Sequence, residues 1–276
     1  MKCISFNTNS IRIRLHQLAE TIRIHSPDVI GIQETKVTDT DFPEREINEM
    51  GYHCEFTGQK THYGVAILSK TRPVSVTKGF ISDDGEVQRR FIGASFNTAE
   101  GKNVHILNGY FPQGESRDHP IKFPNKEKFY GDILTQLASI TPDELLILMG
   151  DMNISHQDCD IGIGEENRKR WLRTGKCSFL PEERVWLNKV LEWGLIDTFR
   201  SLHPDTHDRY SWFDYRSKGF EAEPKRGLRI DLILASKALA PLLSDAGIDY
   251  TIRGMEKPSD HCPIWAEFKN IQIISA

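Results

Sequence analysis

Leu145-Leu146-Ile147-Leu148-Met149-Gly150-Asp151-Met152-Asn153 is the stretch on which the reading of this chain turns. Five consecutive apolar residues followed by a glycine predict a buried strand, and the next residues set a carboxylate and an amide at its end. A second string, Ser259-Asp260-His261 ahead of Pro263-Ile264-Trp265, repeats the arrangement with a carboxylate and an imidazole. Polar ligands at the ends of buried strands are held rigidly yet stay open to water and substrate, which is how a metal-assisted hydrolase is built.

Working outward, strand-like segments recur along the whole sequence. Residues 2–6 read as a strand delivering Asn7, and Ile11, Leu15, Leu18 and Ile22 then repeat at helical spacing until Pro27 stops them. Residues 28–33 form a short apolar run ending in Glu34. Tyr63–Ser69, Phe91–Phe96 and Val104–Gly109 read as further strands separated by turns such as Ser82-Asp83-Asp84-Gly85, and the last delivers Tyr110. A helix is expected over 125–140 and another from Pro181 to Gly194, with Trp186, Leu187, Val190 and Leu191 on one face. Asp231 opens the strand 232–235. Strands and helices mixed throughout indicate a layered α/β or α+β protein.

Bulk properties narrow the class. The 276 residues, 38% of them hydrophobic, can bury a sizeable core, and no linker or repeat divides them, so one domain over 1–268 with a tail at 269–276 is expected. Five cysteines without CxxC spacing argue against a disulfide framework and a structural zinc. The absence of a signal-like start or a bilayer-length apolar run predicts a cytoplasmic protein with no membrane partner. A net charge of −4 excludes indiscriminate binding to polyanions, so any nucleic-acid contact is local. The candidate is the run Asn167–Lys176, which reads as a charged loop with five basic residues and no acid.

Asn7, Glu34, Tyr110, Asp151, Asn153, Asp231, Asp260 and His261 all fall at strand ends. One such residue is ordinarily a turn or a cap; their number and chemical kind point to a site. Hard oxygen ligands suit Mg²⁺, or Mn²⁺ in its place, with Glu34 as a ligand. Asp151 and Asn153 share a face if the pleat continues through Met152, and Asp231 beside His261 would orient the imidazole. This set fits phosphodiester hydrolysis, whereas a Gly-x-Ser-x-Gly elbow and a phosphate-loop ending are both missing.

Ile32-Gln33-Glu34-Thr35-Lys36, Asn108-Gly109-Tyr110-Phe111-Pro112, Gly150–Asn153, Arg229-Ile230-Asp231 and Ser259–His261 follow one another in the order of the endonuclease/exonuclease/phosphatase superfamily. The runs Asn108–Pro120, Asp160–Cys177 and Trp212–Phe220 resemble, more closely, the bacterial exonuclease III family. The resemblance implies a DNase I-like, four-layered α/β sandwich of two mixed sheets flanked by helices. It implies a monomeric DNA repair nuclease that digests double-stranded DNA from 3′ ends, cleaves beside abasic sites and removes 3′ phosphates and phosphoglycolates. Glu34 would bind the metal, with Asn7, Asp151, Asn153, Asp260 and His261 completing one or two metal or phosphate positions. Asp151 would activate water, Asn153 steady the transition state, Asp231 pair with His261 and Tyr110 contact the phosphate or assist the leaving group; whether Asp151 or His261 is the base stays open.

Trp212 and Phe213 match the family's aromatic pair that wedges beside an abasic nucleotide, and Arg90, Gln113 and Lys122 read as phosphate contacts. Two departures stand out. Asn9-Ser10 replaces the family's usual Asn-Gly, removing a glycine at the DNA face, and residues 221–225 form a slightly longer stretch than in relatives. A phospholipid or inositol phosphate substrate is the alternative enzyme reading, and a catalytically dead DNA-binding module the alternative outside enzymes.

Overall fold

The computed structural model describes residues 1–83 and 87–275, so Asp84 and Gly85 of the expected turn lie outside the described residues. Two mixed sheets carry the fold. The first orders its strands Leu243–Ile248, Ile264–Phe268, Lys2–Asn7, Val29–Gln33, Val65–Ser69 and His53–Thr57, with Lys2–Asn7 and Val29–Gln33 parallel. In the second, the order is Ile273–Ile274, Phe91–Thr98, Asn103–Tyr110, Leu145–Asp151, Asp231–Ser236 and Leu195–Asp197, and Ser75–Lys78 also pairs with Phe91–Thr98. Among these pairs only Asn103–Tyr110 with Leu145–Asp151 is parallel in the second sheet.

The opening run shows why the sheets stack as they do. Leu145, Ile147 and Met149 point between the sheets, where they meet Val29, Val65, Ile67 and Ile264. Leu146 and Leu148 point the other way, onto Ile133 and Leu137 of helix Lys122–Leu137 and Leu187 and Val190 of helix Pro181–Glu192. A strand covered on both faces has no polar alternation, which is why the run is continuously apolar. The outer face of the first sheet, Ile4, Phe6, Ile30 and Ile32, packs on Leu18 of helix Leu15–His25 and on Ile252. Helix, sheet, sheet, helix is the four-layered sandwich expected.

Three boundaries differ. The helix expected at 125–140 runs from Lys122 to Leu137. The basic run is helical over Glu165–Thr174, with Glu165 and Glu166 in the first turn and left-handed Gly175 ending it, so it presents one face rather than a loop. In the segment after residue 268, Ile273–Ile274 adds an edge strand to Phe91–Thr98, and the N-terminal ammonium donates to Phe268 and Ile271 carbonyls. Among the described residues no helix is long and apolar enough to cross a membrane.

Ser10, where the family favours glycine, has φ +94°, a conformation L side chains rarely adopt, and its N–H donates to the Glu34 carbonyl at 2.8 Å. Ser10→Gly should therefore relieve local strain and stabilise the protein by about 1 kcal/mol. A higher denaturation midpoint with unchanged slope checks this; a lower midpoint would mean the serine is not strained.

Candidate active site

Register alone assembles most of the site. Tyr110 lies opposite Asp151 across the parallel pair, and Asp231 lies opposite Asp151 on the other side, so three strands of the second sheet end in one row. In the first sheet Asn7 lies opposite Gln33, and the chain turns through Glu34 at φ +52°. The sheets are tied just below the site by two buried amides, since Gln33 Nε2 donates to Asn108 Oδ1 at 2.6 Å and Asn108 Nδ2 to the Ile32 and Ala66 carbonyls at 2.9 Å. The Ser259 hydroxyl donates to the Asn7 carbonyl at 2.7 Å and so docks the Ser259–His261 string onto the first sheet.

Where these ends meet, Asn7 Nδ2 donates to Glu34 Oε1 at 2.9 Å and to Asp151 Oδ2 at 3.0 Å. Its own oxygen accepts from the Asn9 N–H, so in this arrangement Asn7 bridges the two carboxylates. His261 Nδ1 bonds both Asp231 oxygens at 2.9 and 3.0 Å, while Nε2 faces Asp151 Oδ2 at 3.8 Å. Glu34, Asp151 and His261 place one ligand atom each within 4.8 Å of one another. The Glu34 and Asp151 carboxylate oxygens converge as a divalent cation requires, with the imidazole beside them.

Electrostatics separate the groups. Burial pushes the Asp151 carboxyl up to about 7, with Asp231 and Glu34 adding to the rise and His261 opposing it. Burial alone would lower His261, yet the Asp231 and Asp151 carboxylates outweigh it and raise the imidazole to about 10. Glu34 is held below its usual range despite burial because the Lys36 ammonium sits 2.8 Å from Oε2. Burial and the Glu34 charge hold the Tyr110 hydroxyl well above its ordinary range.

Asn153 reaches the same cleft by a different route from the one expected. The strand stops at Asp151, and Asn153 takes φ +53°, with its N–H on Asp151 Oδ1 and its Nδ2 on the Phe111 carbonyl. A turn, not a continued pleat, brings it in. Asp260 lines the cleft but stands outside the converging triad, its oxygens accepting from Asn9 Nδ2 at 2.9 Å and Trp212 Nε1 at 3.0 Å.

The aromatic pair is split. Trp212 lines the cleft with Leu228 and Ile230, whereas Phe213 is fully buried among Tyr210, Cys262, Phe220 and Tyr250. Neighbours in extended backbone face opposite sides, so Phe213 is a core residue and cannot act as a DNA wedge without breaking that cluster. Arg90 is clasped between the Tyr63 and Tyr110 rings, 4.3 and 4.5 Å from their centroids, and Gln113 is exposed at the cleft mouth. Lys122 is exposed too, its ammonium paired with Glu115.

Lys126 supports the cleft from behind. Fully buried, it bonds Glu183 Oε1 at 2.5 Å and the Asn153 carbonyl at 2.8 Å, tying the loop after Asp151 to helix Pro181–Glu192. Its signal in the sequence is a lysine on the apolar stripe of Phe129, Tyr130 and Ile133.

A carboxylate pair beside an oriented imidazole, at one end of a two-sheet sandwich, is the equipment of a metal-assisted phosphoester hydrolase. The family profile described as the Endonuclease/Exonuclease/phosphatase family matches residues 4–261, and the chain belongs to that family. It is 56% identical over 270 residues to exodeoxyribonuclease III of Haemophilus influenzae, covering 98% of this chain and 100% of that one. Among solved structures it resembles a 3′ phosphatase from Neisseria bound to product DNA hairpin, at 36% identity and TM-score 0.87 over 98% of this chain and 99% of that one. An AP endonuclease from Archaeoglobus fulgidus is similar at 33% identity and TM-score 0.87, with 98% and 99% covered.

Proposed function

We infer that this chain is a Mg²⁺-dependent DNA repair nuclease with 3′-to-5′ exonuclease action on duplex DNA, cleavage 5′ to abasic sites and removal of 3′ phosphate and phosphoglycolate blocks. The observation that carries the reading is the convergence of Glu34, Asp151 and His261 above the Asp231–His261 pair. Glu34 would hold the ion, which when bound neutralises charge on the phosphoryl and departing oxygens.

Asp151, raised to about 7, is matched to taking a proton from water near neutral pH. The water oxygen bonds to phosphorus, the P–O3′ bond breaks, the departing O3′ takes a proton from solvent, and Asp151 releases to solvent the one it took. His261, kept cationic by Asp231, is suited to stabilise the phosphoryl oxygens rather than to act as the base. Asn153 and Tyr110 are hydrogen-bonding groups for the same phosphate, and Trp212 with Leu228 and Ile230 offers an apolar wall for a deoxyribose without its base. Every residue named comes from one chain, so a monomer suffices.

Duplexes carrying an abasic site or a recessed 3′ end should be cleaved with Mg²⁺ and spared in EDTA; cleavage of neither would overturn the reading. Glu34→Gln should raise the Mg²⁺ needed for half-maximal rate by at least about 10–100-fold, the loss seen even for outer partners of metal ligands. An unchanged Mg²⁺ dependence would remove Glu34 from the metal site.

A further inference from the structure

Helix Lys122–Leu137 carries Lys126 and Tyr130 on its buried face, one turn apart. Their polar ends grip consecutive carbonyls of the turn that follows Asp151. The Tyr130 hydroxyl donates to the Met152 carbonyl at 2.8 Å, and the Lys126 ammonium to the Asn153 carbonyl at 2.8 Å. The ammonium also donates to Glu183 Oε1 at 2.5 Å and to the Gln113 carbonyl at 3.3 Å, which uses all three of its donors. Glu183 Oε2 in turn accepts from the Ser178 and Leu180 N–H groups, each at 2.8 Å. Gln113, Asn153 and Ser178 lie on separate segments of the cleft wall, and one buried ion pair joins them.

Such a pair is a poor way to gain stability, because both charges have to leave water and apolar side chains of the same volume would serve the fold as well. What it supplies is direction. Asn153 stands at φ +53°, its N–H on Asp151 Oδ1 and one Nδ2 donor on the Phe111 carbonyl. Its carbonyl is the remaining backbone handle, and with that handle on Lys126 the turn fixes where the second Nδ2 donor points. We propose that Lys126 and Tyr130 are positioning residues that set the Asn153 amide against the phosphate in the transition state, with Glu183 neutralising the buried ammonium. The helix behind the cleft thus acts on the reaction through the turn it holds. The inference rests on the nuclease reading above.

Lys126→Met and Tyr130→Phe test it, with kcat and KM measured on a duplex holding an abasic site, well below the unfolding midpoint of each chain. The expected result for Lys126→Met is a fall in kcat of about 100-fold, the cost of a small misplacement at the reacting centre. For Tyr130→Phe it is about three- to tenfold, the size of one lost hydrogen bond. KM for DNA and the Mg²⁺ needed for half-maximal rate should both stay at the wild-type values. In a chain already carrying Asn153→Ala, either substitution should cost under about twofold more, whereas beside Glu34→Gln the full loss should return. Should Lys126→Met abolish cooperative unfolding, Tyr130→Phe, which removes one oxygen and keeps the ring, carries the same comparison. Losses that persist in full beside Asn153→Ala, or wild-type kcat in either folded variant, would show support of the fold alone and overturn the positioning role while leaving the nuclease reading intact. A wild-type chain inert on the duplex would overturn both.

Discussion

Asp151→Asn is expected to lower turnover by about 10²–10⁴-fold, the contribution typical of a positioned acid or base, while duplex DNA binding stays near the wild-type level. The asparagine keeps the shape of the side chain and removes the proton acceptor. Binding persists because the walls of the cleft, including Trp212, Leu228 and Ile230, come from other strings. Because burial raises Asp151 to about 7, its basic form grows as pH climbs toward neutrality. The wild-type rate should therefore rise with pH across that range, and the residual rate of the variant should not follow it. Single-turnover cleavage against pH, with anisotropy for binding, makes the comparison. Loss of binding together with loss of cooperative unfolding would assign Asp151 a structural role instead.

Arg229→Met should cost about 3–5 kcal/mol of stability, as expected when one partner of a buried ionic group is removed. Arg229 is fully buried and donates to Asp160 at 2.7 and 3.1 Å and to Asp197 at 2.7 Å. Methionine fills the space but leaves those carboxylates facing a hydrocarbon, with Arg200 alone still paired to Asp160 at 2.6 Å. For a chain of this size the midpoint of thermal unfolding should fall by about 10 °C. The sign of the pH dependence follows from Asp160. Burial works against its charge, yet Arg229 and Arg200 hold its carboxyl below the ordinary value. Its contribution is complete above the unfolded carboxylate range and is lost as pH falls through the depressed folded value. The variant should show a shallower acid-side decline from a lower plateau. Equal midpoints for both proteins would mean the network adds nothing over apolar packing.

The strands that carry the site were legible because burial on both faces leaves a one-dimensional mark: the unbroken run at 145–149, the shorter one at 29–32 and the apolar stretch from 232 to 235. Polar residues ending such runs can be counted without knowing the fold. What such a count misses is direction. Trp212 and Phe213 look equivalent in sequence, and only the packing of Phe213 against Tyr250 and Phe220 shows that one lines the cleft and the other the interior. Asn153 lines the cleft through a left-handed turn, which is invisible to a period-two argument. The helix Glu165–Thr174 carried its own signals, two acids at its start and Gly175 after its end, which the density of positive charge obscured. Lys126 shows the reverse case, a cation whose burial becomes reasonable only when Glu183 and the Asn153 carbonyl are brought to it from distant segments.

The contact between the Ser259 hydroxyl and the Asn7 carbonyl joins positions 252 residues apart. Between them the chain has to lay down both sheets in register before His261 can find Asp231. During synthesis, the string that completes the catalytic centre is the last of its strings to leave the ribosome. No shorter nascent piece holds the imidazole, and no partly paired sandwich holds the row of Tyr110, Asp151 and Asp231 against Glu34. The site thus closes only once segments 252 residues apart have met, so its assembly reports on the pairing of both sheets.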